Sequence, residues 1–204
     1  MSTFDSPMDV SRETSERLEI YAQLLRKWNP RINLVSRNTL DDLETRHIAD
    51  SMQIFDLAPQ GWKHWADLGS GGGFPGLVIA ILAAEFSPVA QVTLVESDQR
   101  KCAFLRTVIR ETGAPATVVA GRIEATAPLS ADILSARALA DLDTLLGFAE
   151  RHLCEGGAAL FPKGANWKKE VDNARVQWRF DCEARTSKTE PSAVILKIGG
   201  ITRV

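Results

Sequence analysis

Eleven consecutive residues carry the densest chemical signal in this chain: Ala66-Asp67-Leu68-Gly69-Ser70-Gly71-Gly72-Gly73-Phe74-Pro75-Gly76, five of them glycine. Glycine reaches positive φ without steric cost and lets a ligand lie against the backbone. The loop stands between an apolar run that reads as a strand and a segment that reads as a helix. The first turn of that helix would add free N–H groups and a partial positive charge. This is a nucleotide-binding arrangement. A P-loop is excluded, because no Gly-Lys-Ser/Thr follows. A dinucleotide fingerprint fits Gly71-x-Gly73-x-x-Gly76 literally, but Leu68-Gly69-Ser70 then separates the strand from the first fingerprint glycine. Started at Gly69, the sixth position of the fingerprint is Phe74.

In enzymes that use S-adenosylmethionine (SAM) the first loop resembles D-x-G-x-G-x-G, and Asp67, Gly69, Gly71 and Gly73 stand at every required position. Asp67 would then sit at the strand end, near the methionine amino group. An acid closing the next strand should accept hydrogen bonds from the ribose hydroxyls. Glu96 closes Val92-Thr93-Leu94-Val95-Glu96, 27 residues after Gly69. That spacing suits NAD as well as SAM, so it supports a ribose without choosing. An NAD-dependent oxidoreductase is the alternative, but no Tyr-x-x-x-Lys signature accompanies the loop.

Outside the loop, His47, Asp50 and Ser51 lie three and four residues apart and share one helix face. They fail as a metal site, since no second histidine stands at ligand spacing; they either dock helices onto a sheet or line a pocket mouth. Arg137 follows Ser135-Ala136 at the end of a strand. Its fork could hold a base oxygen, a phosphate or the cofactor carboxylate, or serve a structural ion pair. Positive charge gathers in three places. Arg26, Lys27, Arg31 and Arg37 fall in an acid-free stretch; Arg100, Lys101, Arg106 and Arg110 share one helix; Lys163, Lys168 and Lys169 follow later. Lys163-Gly164 is the strongest of these for RNA, because it follows a strand whose carboxyl end should face the pocket. His64 and His152 read as incidental, and Trp28 and Trp62 as core.

These groups need a scaffold. Residues 1–60 read as helical. Leu18, Tyr21, Ala22, Leu25 and Trp28 form one helix face, which Trp28-Asn29-Pro30 should stop. A second helix is expected from Thr39, capped by the Thr39–Asp42 pair, with the stripe Leu40, Leu43, Ile48, Met52 and Phe55. From Trp62 onward, strands alternate with helices. Strands are expected at 64–68, 91–96, 117–120, 132–135 and 158–162, and helices at 74–85, 98–112 and 139–153. Asp98 should cap the helix at 98–112 and Gly113 should stop it. The final runs, 176–182 and 193–198, alternate as a hairpin does. This is an α/β pattern: a parallel sheet with helices on both faces and a hairpin at one edge. The expected division is a helical extension over 1–60 and a Rossmann-like unit over 61–204.

Composition sets the outer limits. The chain has 204 residues, 45% hydrophobic and 25% charged, enough for a real core. No apolar run approaches a membrane span. Met1-Ser2-Thr3-Phe4-Asp5 shows no secretory signal, so a cytoplasmic protein is expected. Cys102, Cys154 and Cys182 form no CxxC pair, which argues against a disulfide framework or a cysteine zinc site. A net charge of -2 excludes a globally basic coat but not a local basic face.

With these segments together, the chain resembles the RsmG (GidB) family of SAM-dependent rRNA methyltransferases. The resemblance rests on Trp28-Asn29, Asn33-Leu34-Val35-Ser36, Arg46-His47-Ile48-Ala49-Asp50-Ser51 and the glycine loop. It continues through Glu96-Ser97, Arg100-Lys101, Phe104-Leu105, Arg122-Ile123-Glu124, Ser135-Ala136-Arg137-Ala138 and Lys163-Gly164. The resemblance implies a class I methyltransferase fold and methylation of guanine N7 in the decoding-centre (530) loop of 16S rRNA, position 527 in the usual rRNA numbering. It implies SAM as cofactor, with S-adenosylhomocysteine as product. Asp67, Gly69, Ser70, Gly71, Phe74, Glu96, Ile123, Glu124 and Arg137 would hold the cofactor. Arg137 would also position the reaction, and His47, Ser51, Arg100, Lys101 and Lys163 would meet RNA. The expected partner is 16S rRNA, the small subunit or its assembly intermediate, met by a monomer. A non-catalytic assembly factor is a further alternative, against which the intact cofactor residues speak. Guanine N7 has a lone pair and no proton, so no general base is needed. The chain agrees by omission: it has neither the Asn/Asp-Pro-Pro-Tyr/Phe motif of exocyclic-amine methylation nor the Pro-Cys nucleophile of cytosine C5 methylation.

Overall fold

A computed structural model describes residues 8–36, 40 and 42–204. Helix α1 (Arg12–Ile32) is followed by a π-helical turn (Leu43–Ile48) that runs into α2 (Ala49–Asp56). Then come β1 (His64–Leu68), α3 (Gly76–Phe86), β2 (Gln91–Glu96), α4 (Gln99–Thr112) and β3 (Ala116–Ala120). After a 3-10 turn (Ile123–Ala125) the chain forms β4 (Ala131–Ser135), α5 (Leu142–His152), β5 (Leu153–Lys163), α6 (Trp167–Ala174), β6 (Trp178–Thr186) and β7 (Val194–Arg203). The seven strands lie in the order β3-β2-β1-β4-β5-β7-β6. The first five are parallel, and β7 enters antiparallel between β5 and β6. The sheet order reverses between β1 and β4, and an open parallel sheet leaves its ligand crevice there, beyond the carboxyl ends of the strands.

Two cores cover the two faces of the sheet. On one face, α1, α3 and α4 pack around Tyr21, Leu25, Trp65 and Phe104. On the other, α5 and α6 pack over Leu134, Phe161 and Trp178. Helix α3 is apolar all round because it is covered on every side: Leu77 through Ala83 are fully buried between the sheet and the first two helices. Ser11 joins these layers, since it caps α1 through Thr14 N–H (3.2 Å) and donates from its hydroxyl to Glu85 at the end of α3 (2.9 Å).

The doubly wound pattern, the edge hairpin and the Asp98 and Gly113 caps stand where the sequence places them. The helix ends near the N-terminus do not. Pro30 lies inside α1 rather than stopping it. In the last turn it removes one donor, and the helix ends instead at Asn33, whose φ of 52° is left-handed. Asn29 makes that ending stable: its buried Oδ1 accepts from Leu34 N–H (2.8 Å) and Val35 N–H (2.9 Å). The expected Thr39 cap, like Arg37 and residues 1–7, lies outside the described residues, and helical structure begins at Leu43 with no side-chain cap from Asp42. The five-residue step from Leu43 to Ile48 in the apolar stripe is one wide turn, in which the Ala49 N–H donates to Glu44 C=O. Strand β5 starts earlier than expected, at Leu153, through Gly156-Gly157 and a register shift against β4. Helix α6 is unforeseen, because its apolar positions, Val171 and Ala174, are too few to show a period.

Among the described residues no helix is long and apolar enough to cross a membrane. Asn29→Ala should leave two backbone donors without their acceptor. It should destabilise the fold by about 2 kcal/mol, read as a Tm several degrees lower in thermal unfolding.

Candidate functional site

The glycine loop meets two separate demands. Gly69, Gly71 and Gly73 hold φ of 65°, 54° and 95°, where a side chain would be strained. Gly72 and Gly76 answer to packing. A Cβ on Gly76 would come within 2.4 Å of Leu94 Cδ2 and 2.8 Å of Asp67 Cβ, and one on Gly72 within 3.1 Å of Leu34 C=O. Tyr21, the single tyrosine of the chain, donates its hydroxyl to Gly72 C=O (2.6 Å), so α1 is latched directly onto the loop.

Gly69 and Gly71 form one wall of a cavity of about 440 Å³ beyond the carboxyl ends of the central strands. Glu96, Lys101, Ile123, Glu124 and Arg137 line it with them. The buried Glu96 carboxylate accepts from Gly71 N–H (2.8 Å) and Asp98 N–H (2.8 Å), and so joins the loop to the start of α4. Asp67, Ser70 and Phe74, expected as cofactor contacts, stand behind this wall instead. Asp67 is buried: its Oδ1 accepts from the Ser135 hydroxyl (2.7 Å), which itself accepts from Trp65 Nε1–H (2.9 Å). Asp67 Oδ2 is buried with no hydrogen-bond partner among the described residues. Burial pushes the Asp67 carboxyl up to about 6, against the pull of Ser135, Ser70, Arg137 and the Gly76 backbone. A polar cradle, a backbone open to close approach and an acid at the end of β2 suit a nucleoside-bearing cofactor such as SAM.

Arg137 forms the far wall. Its guanidinium lies over the Phe74 ring (5.1 Å to the centroid) and donates from Nη1 to His47 Nδ1 (2.9 Å). His47 in turn stacks on Phe74 at 5.0 Å. Burial first, then the cations of Arg137 and Arg46, lower the His47 pKa to about 4, so the ring is neutral and Nδ1 can accept from Arg137. Arg137, Ala138 and Ala140 also line a second cavity of about 370 Å³, together with Asp50, Lys163 and Glu190. The short turn after β4, bent by a left-handed Ala138 (φ 51°), is thus a partition between two adjoining spaces.

The residues expected to meet RNA divide. His47 reaches the partition. Ser51 is fully buried and donates to His47 C=O (2.7 Å) within its own helix, so it packs rather than binds. Lys163 lines the second cavity, but its largely buried ammonium is held by Glu170 (2.7 Å) and Ala140 C=O (2.9 Å), which makes it an anchor of the partition. Arg100 lies outside both cavities and pairs with Asp98 (3.0 Å), whereas Lys101 stands at the rim of the first. Trp62 is core, and Trp28 packs on Phe104 at 5.7 Å. Among the described residues no group of His, Cys, Asp and Glu could hold a metal ion. Sequence reasoning missed Gln53 and Glu170. Glu170 could have been found only by knowing that α6 exists.

A family model described as "rRNA small subunit methyltransferase G" (GidB) matches residues 14–193. Ribosomal RNA small subunit methyltransferase G of Ruegeria sp. (strain TM1040) is 65% identical over 197 residues, covering 97% of this chain and 96% of the relative. The protein of that name from Paracoccus denitrificans (strain Pd 1222) is 52% identical over 195 residues, covering 95% and 98%. Among solved structures, a methyltransferase from Geobacter sulfurreducens superposes with a TM-score of 0.60 at 15% identity, over 95% of this chain and 91% of that one. A TehB-like SAM-dependent methyltransferase from Corynebacterium glutamicum gives 0.58 at 18%, over 92% and 100%. At such identities the structural likeness is one of fold.

Asp67 generates a pH test. The folded state holds its carboxyl near 6, above the unfolded value of 3.8, so the folded state binds the proton more tightly. Stability should therefore fall as pH rises from about 4 through 6, by at most about 3 kcal/mol, and then level off. Asp67→Asn should remove that slope. Denaturant unfolding of both proteins at pH 4 and pH 7 should show the difference moving in the variant's favour; a difference independent of pH would contradict the assignment.

Proposed function

The chain belongs to the GidB family of rRNA small subunit methyltransferase G, and from that premise we propose that it carries the methyl group of SAM to N7 of one guanine in the 530 loop of 16S rRNA. The observation that supports this reading best is the pair of cavities sharing the Arg137–Ala140 turn. One cavity suits the cofactor, the other is large enough for an extruded base, and the turn between them is where the two reactants would meet.

When bound, SAM supplies a methyl group on a sulfonium centre and leaves as S-adenosylhomocysteine. The chain's own groups bind and orient. The Gly69 and Gly71 backbone, Glu96, Ile123 and Glu124 all line the first cavity, where they would hold the cofactor, Ile123 and Glu124 its adenosine portion. Guanine N7 presents an in-plane lone pair, so no side chain has to take a proton before attack. His47 is not placed to act as a base, since its neutral Nδ1 is already occupied by Arg137. Catalysis would rest on alignment of the two reactants and on exclusion of water at the partition. Arg137, partly buried and carrying several N–H donors beyond the one given to His47, would orient the base through O6.

RNA would be drawn by a local face rather than by net charge. Helices α1 and α4 pack together, and Lys27 and Arg31 on the first with Lys101 and Arg106 on the second would supply the charge of that face. Arg26 and Arg110 contribute less, because each pairs with a neighbouring glutamate.

Incubation with labelled SAM and 16S rRNA from a strain lacking the enzyme should place label in 7-methylguanosine at one site; label at another atom or none would contradict the reading. In the same assay Arg137→Ala should cut kcat/KM by about a hundredfold or more, and Glu124→Ala should raise KM for SAM. Affinity for naked rRNA should fall about tenfold or more between 50 and 200 mM salt, measured by filter binding.

A further inference from the structure

The second cavity contains one carboxylate that neither the cofactor nor the fold uses completely. Asp50, on the first turn of α2, lines this cavity and not the first. Its Oδ1 accepts from Gln53 Nε2 (3.2 Å) and the Thr189 hydroxyl, while no described residue donates a hydrogen bond to its Oδ2. The group is half-buried, and burial raises its pKa despite the nearby Arg137 and Arg46 cations. Such a carboxylate gains from a ligand that supplies N–H donors. The other acids of this cavity are committed. Glu170 is held by Lys163 and the Leu142 N–H, and Glu190 is exposed and folded back on Ser192.

The four bases offer that carboxylate very different edges. Only guanine presents two adjacent donors, N1–H and the exocyclic amine, on its Watson–Crick edge. Adenine, cytosine and uracil each place an acceptor beside their single donor. Enzymes that act on an extruded base read that edge by hydrogen bonding. Guanine O6 and N7 follow in order around the ring from N1. Asp50 and the Arg137–Ala140 turn line the same cavity, so a base whose N1 edge meets Asp50 can offer O6 and N7 to that turn, the wall shared with the first cavity. Resting on the proposed function, we infer that Asp50 is the guanine reader: its carboxylate accepts from N1–H and the exocyclic amine of the target base, while Arg137 meets O6.

Asp50 also ties the β6–β7 turn to α2 through Thr189, so the test separates reading from tethering. Small subunits are reconstituted with ligated 16S rRNA carrying guanosine or inosine at the target position. Inosine keeps N7 and O6 and lacks only the exocyclic amine. The wild-type enzyme should methylate inosine with a kcat/KM about tenfold or more below that for guanosine. Asp50→Asn should lose a similar factor on guanosine and treat the two substrates alike within about twofold. Thr189→Val, which cuts the tether and keeps the carboxylate, should retain the preference. Equal wild-type rates on guanosine and inosine, or an undiminished preference in Asp50→Asn, would overturn the inference and leave the proposed function standing. Transfer to neither substrate would overturn both.

Discussion

One contact joins three distant segments of the chain: the Arg137 guanidinium on the face of Phe74, donating to His47. Arg137 comes from the end of β4, Phe74 from the glycine loop and His47 from the π-helical turn before α2. A guanidinium removed from water is costly unless its donors are met and its charge is balanced. The aromatic face and the imidazole lone pair meet part of that need, and the Asp50 and Asp67 carboxyls favour the charge from nearby. The arrangement works only if His47 is neutral, and Arg137 itself helps to depress the histidine pKa to about 4. The cation thereby helps to create its own acceptor.

The glycine loop depends on the same neighbourhood from below. Tyr21 packs on Phe74 (5.1 Å) and bonds Gly72 C=O, so α1 supports the ring on which Arg137 rests. A second clasp closes the opposite end. The Gln53 side chain accepts from Lys188 N–H (2.6 Å) and shares Asp50 with Thr189, so α2 holds the turn between β6 and β7. The N-terminal helices are therefore walls of the site as well as a cover for the core. This also explains the position of β7. By entering antiparallel between β5 and β6, it carries Val194 and Ile195 along the second cavity and presents the β6–β7 turn to α2.

Much of this was legible one residue at a time. The spacing of Asp67, Gly69, Gly71 and Gly73 demanded a loop open to a ligand, and Glu96 stands opposite it as the length of one βα unit requires. The caps at Asp98 and Gly113 were legible because they depend on neighbours three or four residues away. Roles for Asp67, Ser70 and Phe74 were harder to read. Their positions in the motif are right, yet Asp67 and Ser70 support the loop through hydrogen bonds to the framework, and Phe74 is the ring under Arg137. Lys163 had the right address and the wrong freedom, because its partner Glu170 lies on a short helix with no visible period.

The sequence by itself determined the doubly wound sheet, the nucleotide loop and the acid facing it. Those features follow from local periodicity, glycine's access to positive φ and a strand-to-strand distance counted along the chain. Only the tertiary structure decided that Arg137 divides two cavities, that His47 is its neutral acceptor, that Ser51 and Lys163 are internal, and that Asp50 keeps one oxygen to which no described residue donates. Each of these depends on which groups meet across long stretches of chain and on how much water is left around them. Burial and partnership are properties of the packed assembly, and no spacing along the chain encodes them.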